Sequence, residues 1–168
     1  MAALDLCSRR DVRRMGATVI INLGAGNKPV EGAINHDRTK HAPWVDVAHN
    51  LNSYPWPWHT SSADEIIATD VLEHLDSFIG FFDECWRILK PGGTILVQTP
   101  RWDSVNVAID PTHKRGYHHQ SFDYLDPTTS WGKLYPFYTD RKWYKVSVFL
   151  EDDNIIAKLQ VVKPQVLP

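Results

Sequence analysis

Short apolar runs separated by turn residues dominate the first seventy positions of the chain. Residues 17–23 form a β-branched run that ends at the glycine turn 24–26, a pattern typical of a buried parallel strand. Three further runs of strand length follow, at 33–37, 44–48 and 64–69. The pattern predicts four strands before the first helix, and Pro29 predicts a truncated first crossover that has no long helix.

A helical period follows these strands. Apolar residues recur every three or four positions between Ser77 and Lys90, with Ser77 as the N-cap and the proline-glycine stop at 91–93. Residues 94–99 predict a further strand. Residues 101–140 have no regular period, so we predict a long irregular stretch of the kind that carries function.

The end of the chain predicts an antiparallel pair of strands. Runs with β character at 143–150 and 155–162 flank the turn 151–154. The order of elements predicts an α/β fold, a Rossmann-like and mostly parallel sheet with helices on both faces and a C-terminal antiparallel β-hairpin. A chain of 168 residues, 43% of them hydrophobic, suits one domain. We assign this domain to residues 17–168 and treat 1–16 as an N-terminal extension.

Composition narrows the classes of function. The formal net charge of -2 disfavours a nucleic-acid partner. Cys7 and Cys85 provide neither a disulfide framework nor a paired-thiol zinc motif, and reduced thiols predict a cytoplasmic protein. The sequence has no apolar signal core and no run long enough to span a membrane, so we expect no membrane partner.

The first candidate ligand-binding feature is the turn Gly24-Ala25-Gly26. Its backbone N–H groups are expected at the carboxyl edge of the sheet. A nucleotide or an amino-acid carboxylate can approach such a turn, although a tight turn that needs two glycines explains it equally well. Asp37 ends the second predicted strand, where a carboxylate can accept both hydrogen bonds of a ribose diol; the alternative is an aspartate in a surface turn. The interval from Gly24 to Asp37 is shorter than the roughly 20 residues of a dinucleotide fingerprint, which argues against NAD.

Four segments in this order resemble a known family. They are Ile21-Asn22-Leu23-Gly24-Ala25-Gly26, Asp37, Val71-Leu72-Glu73-His74-Leu75 and Leu89-Lys90-Pro91-Gly92-Gly93-Thr94-Ile95-Leu96. Together they resemble the class I S-adenosylmethionine (SAM)-dependent methyltransferases, in the small type 11-like branch, from about residue 19 to about residue 100. The resemblance implies SAM as the cofactor and methyl transfer to an unidentified acceptor, which can be a small molecule, a sugar or glycan, or a protein group.

The resemblance also implies a set of cofactor-binding residues. Gly24, Ala25 and Gly26 would approach the methionine part of SAM, Asp37 would hold the ribose, and Asn50 and Leu51 would flank the adenine. Asp70, Val71 and His74 would line the same pocket, although His74 has the alternative role of fixing its loop through hydrogen bonds. Asn50 departs from the family pattern, which usually has an aspartate there, and the missing crossover helix is a second departure.

The segment 110–119 lies where class I enzymes place residues that face the acceptor. His113 is the candidate general base, because an imidazole titrates near neutral pH. Arg115 is the candidate group that binds an anionic acceptor or the cofactor carboxylate. The histidines at 113, 118 and 119 raise the question of a metal, but no cysteine or acidic spacing completes a ligand set, so we predict no metal site.

Several alternatives stay open at this point. The segment 110–119 can instead be a packing loop anchored by Tyr117 and Phe122, and the aromatic loop 54–58 can be a substrate platform, a lid or a packing corner. The chain as a whole can be a non-catalytic module that serves as a SAM-binding or partner-binding scaffold. A nicotinamide-dependent oxidoreductase ranks last, since it would need a complete glycine fingerprint. The acceptor and the oligomeric state stay open, with a homodimer as one alternative.

Overall fold

Seven strands form one sheet in the computed structural model of the protein, which describes residues 18–164. The predicted extension at 1–16 lies outside the described residues. The sheet has the strand order β3-β2-β1-β4-β5-β7-β6. The strands are β1 (Ile20–Leu23), β2 (Ile34–Asp37), β3 (Val47–Ala48), β4 (Ala63–Thr69), β5 (Leu89–Pro100), β6 (Lys142–Glu151) and β7 (Asn154–Val162).

The pairing confirms the predicted α/β fold. Strands β1 to β5 pair in parallel, whereas β7 runs antiparallel to both β5 and β6 and so forms the predicted C-terminal hairpin. The strand order reverses between β1 and β4, because the chain leaves β1 toward β2 and β3 and returns on the other side. In parallel α/β sheets, ligands bind outside the carboxyl ends of the strands at such a reversal.

The link between β1 and β2 contains no helix, as the sequence predicts. Two buried amide side chains support it instead. The Asn22 side chain donates to Asn35 Oδ1 at 2.9 Å, and Val30 N donates to the same oxygen at 2.8 Å. The Asn35 amide in turn donates to the Val30 carbonyl at 3.1 Å. These bonds satisfy buried polar groups while holding the short link beside the sheet.

Helix α1 (Phe78–Ile88) is the predicted amphipathic helix. Ser77 is its N-cap, and the Ser77 hydroxyl accepts a hydrogen bond from Gly80 N at 2.9 Å. One face of the helix is buried, and on that face Phe82 packs edge-to-face against Phe122 and Trp143. This aromatic contact connects α1 to β6 and to the segment that precedes it.

The stretch 101–140 has more regular structure than the sequence predicts. It contains α2 (Val105–Ile109), a 3₁₀ helix (His119–Leu125) and α3 (Ser130–Leu134). Helices of five to seven residues are too short to give a detectable hydrophobic period, so the prediction of an irregular stretch is wrong at these positions. Tyr117 and Phe122 are both buried, as expected for anchors of a packing loop.

The aromatic loop 54–58 packs mainly inward. Trp56 and Trp58 are buried, and Trp56 Nε1 donates to the Leu51 carbonyl at 3.0 Å. The backbone N–H of Trp56 donates to Glu84 Oε2 at 2.8 Å, which fastens the loop to α1. Of the open alternatives for this loop, a packing corner agrees best with these contacts.

Within residues 18–164, the model has no helix of the length and apolar character needed to cross a membrane.

We predict that Phe82→Ala lowers the free energy of unfolding by about 3–5 kcal/mol, because it removes a fully buried ring that packs against four other aromatic residues. Urea denaturation followed by circular dichroism measures this change. Phe137→Ala is the matched control, since this ring is 74% exposed and its removal should cost within about 0.5 kcal/mol. Equal losses in the two variants would contradict the described packing.

Candidate active site

A cavity of about 380 Å³ opens at the carboxyl ends of β1 and β4. The end of β1 and the glycine turn form one wall, from Asn22 to Lys28, and Val30 closes that side. Ile67, Thr69 and Asp70 form the opposite wall. The cavity therefore lies at the reversal of strand order, where the fold predicts a ligand.

Gly24 allows the two walls to approach each other closely. Its φ is +62°, a left-handed conformation that favours glycine. A Cβ atom at this position would lie 2.5 Å from Val71 Cγ2, well inside van der Waals contact. The segment after β4 can therefore pack directly on the turn after β1 only because Gly24 has no side chain.

Asp37 holds the glycine turn from the end of β2. Its Oδ2 accepts a hydrogen bond from Gly26 N at 2.7 Å, and its Oδ1 accepts one from Arg38 N at 2.6 Å. A carboxylate has about four lone-pair sites, so these two bonds leave acceptor capacity for a ligand hydroxyl. Asp37 therefore supports the turn that lines the cavity but is not itself one of the lining residues.

His36 is a residue that the sequence analysis missed. It is buried in β2, where its Nε2 donates to the His49 carbonyl at 2.9 Å and its Nδ1 accepts from Gly24 N at 3.4 Å. Burial lowers the pKa of His36, which favours the neutral ring that both bonds require. Its neighbours in the short strand are Asn35 and Asp37, so no apolar pattern in the sequence marks it as buried.

Opposite charges face each other at the mouth of the cavity. Lys28 Nζ lies 3.6 Å from Asp70 Oδ2, and Lys28 is 79% exposed. The side-chain amide of Gln98 donates to Asp70 Oδ1 at 3.4 Å. The cavity thus offers a flexible cation on one side and a carboxylate on the other. Lys28 was not predicted, since a single lysine in a loop carries no sequence signal.

Five of the nine predicted cofactor residues do not line the cavity: Asp37, Asn50, Leu51, Val71 and His74. Asn50 is exposed, and its Oδ1 accepts from Asn52 N at 3.1 Å in a local turn. Leu51 is buried in the core. The cavity is lined by four of the predicted residues, Gly24, Ala25, Gly26 and Asp70. Val71 packs against Gly24 without lining the cavity.

A second cluster of polar side chains, formed by Glu73, His74 and His113, begins just after Asp70 in the chain. Glu73, in the 3₁₀ helix Leu72–His74, is fully buried, and its Oε2 accepts from the Thr99 hydroxyl at 2.9 Å. His113 Nε2 lies 3.8 Å from Glu73 Oε1, and the His113 ring meets the His74 ring edge-on at 4.6 Å between centroids. Burial raises the pKa of Glu73 to about 7.

The loop that carries His113 is fastened to this 3₁₀ helix. Lys114 N donates to the Glu73 carbonyl at 2.8 Å. The Thr112 hydroxyl donates to Asp110 Oδ1 at 2.6 Å and lies 3.0 Å from His74 Nδ1. His74 thus takes the loop-fixing contact that the sequence analysis left as its alternative role.

The structure separates the other predicted acceptor-side residues from His113. Arg115 donates from Nη2 to the backbone carbonyl of Asp76 at 3.1 Å. The His118 and His119 rings are tilted against each other at 4.1 Å between centroids, outside the group formed by Glu73, His74 and His113. Glu73 belongs to the family-like segment 71–75 but is not among the predicted site residues; a glutamate between Leu72 and Leu75 is the signal that could have identified it.

Comparison with known proteins agrees with this geometry. Residues 24–97 match the family model described as a methyltransferase domain. A probable S-adenosylmethionine-dependent methyltransferase of Mycolicibacterium smegmatis is 41% identical over 71 residues, which are 42% of this chain and 26% of that protein. A probable S-adenosylmethionine-dependent methyltransferase of Mycobacterium tuberculosis is 33% identical over 90 residues, 51% of this chain and 32% of that protein. The match therefore spans a third or less of the length of these relatives.

Solved structures share the fold. A SAM-dependent methyltransferase from Archaeoglobus fulgidus superposes with a TM-score of 0.59 at 15% identity, covering 86% of each chain. An S-adenosylmethionine-dependent methyltransferase from Mesorhizobium loti superposes with a TM-score of 0.56 at 10% identity, covering 86% of this chain and 91% of that one. Residues 24–97 of this chain are therefore similar to a methyltransferase domain, and the chain shares its fold with these solved structures.

Proposed function

We propose that this chain binds SAM in the cavity between the β1 turn and Asp70 and transfers its methyl group to an acceptor. The observation that carries the proposal is the cavity at the reversal of strand order, which Gly24 and Asp70 line and whose glycine turn Asp37 holds through Gly26 N. These are the positions that the family resemblance assigns to the cofactor. The match to the methyltransferase domain model over residues 24–97 supports it.

The chemistry of the cavity suits this cofactor. Its volume of about 380 Å³ is in the range of small-molecule sites, roughly 300–1,000 Å³. Lys28 is placed to bind the methionine carboxylate, Asp70 to bind the ammonium group, and Asp37 to accept from the ribose hydroxyls. Asn50 and Leu51 stay candidates for the adenine by resemblance alone. When bound, SAM supplies a methyl group activated by its sulfonium.

The acceptor side is assigned to the loop around His113. His113 would accept the acceptor proton, and the neighbouring Glu73 carboxylate would stabilise the charge that the imidazole gains. Arg115 would bind an anionic part of the acceptor. The acceptor class stays open among small molecules, sugars or glycans, and protein groups. We further propose a cytoplasmic location, from the two cysteines of the sequence.

A second candidate function rests on the link between β1 and β2. This link has no helix, and its first turn is held by Asp37 and by the Asn22–Asn35 pair instead. A weaker cofactor site of this kind would suit a non-catalytic SAM-binding or partner-binding scaffold. SAM binding without any methyl transfer across an acceptor panel would favour this second candidate.

We predict that Asp37→Asn weakens SAM binding roughly ten- to hundredfold, because hydrogen bonds to a charged group contribute about 1.5–3 kcal/mol. Asparagine retains an oxygen that can accept from Gly26 N, so the turn should persist. Isothermal titration calorimetry measures the affinity. Asp140→Asn is the control, since this exposed aspartate lies in a different loop. Unchanged affinity in Asp37→Asn would exclude Asp37 from the ribose site.

Lys28→Ala should weaken SAM binding about two- to fivefold, and the effect should shrink at high salt, because exposed ion pairs contribute about 0.2–1 kcal/mol. Lys28→Arg should retain the affinity. The same calorimetric titration, repeated at two salt concentrations, measures both effects. A loss that Lys28→Arg shares, or a loss that does not depend on salt, would contradict the carboxylate assignment.

His113→Ala should lower methyl transfer about 10²- to 10⁴-fold while leaving SAM affinity within a factor of two, as expected for a general base. The measurement follows a labelled methyl group from SAM onto a panel of small molecules, glycans and peptides. His119→Ala is the control. Full turnover by His113→Ala would remove this histidine as the base.

A further inference from the structure

The buried group after β4 combines residues that no linear spacing brings together. One donor atom each from Glu73, His74 and His113 lies within 4.8 Å of the other two. Glu73 and His74 come from the 3₁₀ helix Leu72–His74, whereas His113 is reached only after β5 and α2. This is why the sequence predicts no metal site, while the fold assembles three metal-binding side chains.

Two atoms in this group lack partners. Glu73 Oε1 and His113 Nδ1 are buried, and neither forms a hydrogen bond within the described part of the chain. Glu73 is fully buried, and the His113 side chain is 9% exposed. A buried polar atom without a partner costs about 1–3 kcal/mol. A cation bound to Glu73 Oε1 would remove this cost for the carboxylate.

The hydrogen bonds of His74 prepare one of its nitrogens to bind such a ligand. The Thr112 hydroxyl has one hydrogen, which it donates to Asp110 Oδ1 at 2.6 Å because a carboxylate can only accept. His74 Nδ1, 3.0 Å from the same hydroxyl, must therefore carry a hydrogen and donate. His74 Nε2 is then left with its lone pair free. Metal-binding histidines are commonly oriented in this way by an outer hydroxyl and carboxylate.

We propose that Glu73, His74 and His113 form a binding site for a divalent transition-metal ion. Two imidazoles and one carboxylate favour Zn²⁺, Fe²⁺ or Mn²⁺ over Mg²⁺, which prefers oxygen ligands. Donor atoms around tetrahedral zinc lie about 3.3 Å apart, given bonds of about 2.0–2.1 Å. The 3.8 Å between His113 Nε2 and Glu73 Oε1 needs only a small contraction.

The surrounding charges suit a dication. Asp110 Oδ2 lies 3.7 Å from His113 Nε2, and the Asp70 charge acts on Glu73 from the cavity side. Of the nearby cations, Lys114 pairs with the Asp76 carboxylate and Arg115 with the Asp76 backbone. The carboxylates that face the histidines are therefore not neutralised by these two side chains.

The inference goes beyond the proposed function and does not depend on it, because metal binding is measured without SAM or an acceptor. It also gives His113 a second role. With a cation bound, His113 supplies a ligand atom, so the role of general base belongs to the metal-free protein. If the chain binds no metal, the SAM proposal is unaffected. If the chain binds no SAM, the metal proposal is unaffected.

The experiment uses the full chain stripped with a chelator, then titrated with Zn²⁺ alone, with Mg²⁺ as the comparison and Co²⁺ absorption as a spectroscopic readout. We expect one Zn²⁺ per chain, bound at least about 100-fold more tightly than Mg²⁺, and a rise in the unfolding temperature. His74→Ala and His113→Ala should each lose this site. Absence of stoichiometric binding, or equal affinity for Mg²⁺, would overturn the proposal.

Thr112→Val keeps the test valid if the histidine variants fold poorly, because Thr112 is exposed. It should weaken Zn²⁺ binding roughly 10- to 100-fold, and Thr112→Ser should restore it, as expected for a group that orients a ligand. His119→Ala and Cys7→Ser are controls that should bind as the wild type does. Loss of binding in either control, or wild-type binding in Thr112→Val, would contradict the assignment.

Discussion

The parallel pairing of β1 with β4 is the constraint on which both polar sites depend. In this register Leu23 lies opposite Ala68, so the turn after β1 meets the segment that follows β4. That segment can approach because Gly24 has no side chain where Val71 packs. A larger residue at 24 would separate the strand ends and open the wall of the cavity. One missing Cβ atom thus sets the distance between the glycine turn and Asp70.

The segment after β4 connects the cavity to the buried group behind it. Asp70 faces the cavity, Val71 packs on Gly24, and Glu73 lies fully buried two residues later. Burying a carboxylate is costly, and the Thr99 hydroxyl offsets only part of that cost. The loop around His113 approaches the same carboxylate and donates a backbone hydrogen bond to the Glu73 carbonyl. The cavity and the buried group around Glu73 are therefore held by one short piece of chain.

The sequence was sufficient for the fold and for the glycine turn because both rest on local signals. Apolar runs, the Ser77 cap and the loop signals marked most strands and α1 to within a few residues, and the short β1–β2 interval predicted the truncated crossover. The start of β5 is the exception, because the strand begins at Leu89 and includes the predicted stop at 91–93. The short helices between 101 and 140 leave no period to detect. The grouping of Glu73 with His113 depends on tertiary contact across forty residues, which no local pattern contains. Asn50 was assigned by resemblance, and its side chain turns to its own loop.

The measurement that most directly tests the central claim is calorimetric titration of the wild-type chain with SAM and with its demethylated product, with NAD as the comparison. The account predicts one site per chain with micromolar affinity for either SAM compound and no binding of NAD, because the β1–β2 interval lacks the helix of a dinucleotide site. Binding of NAD, or no binding of either SAM compound by a folded chain, would contradict it.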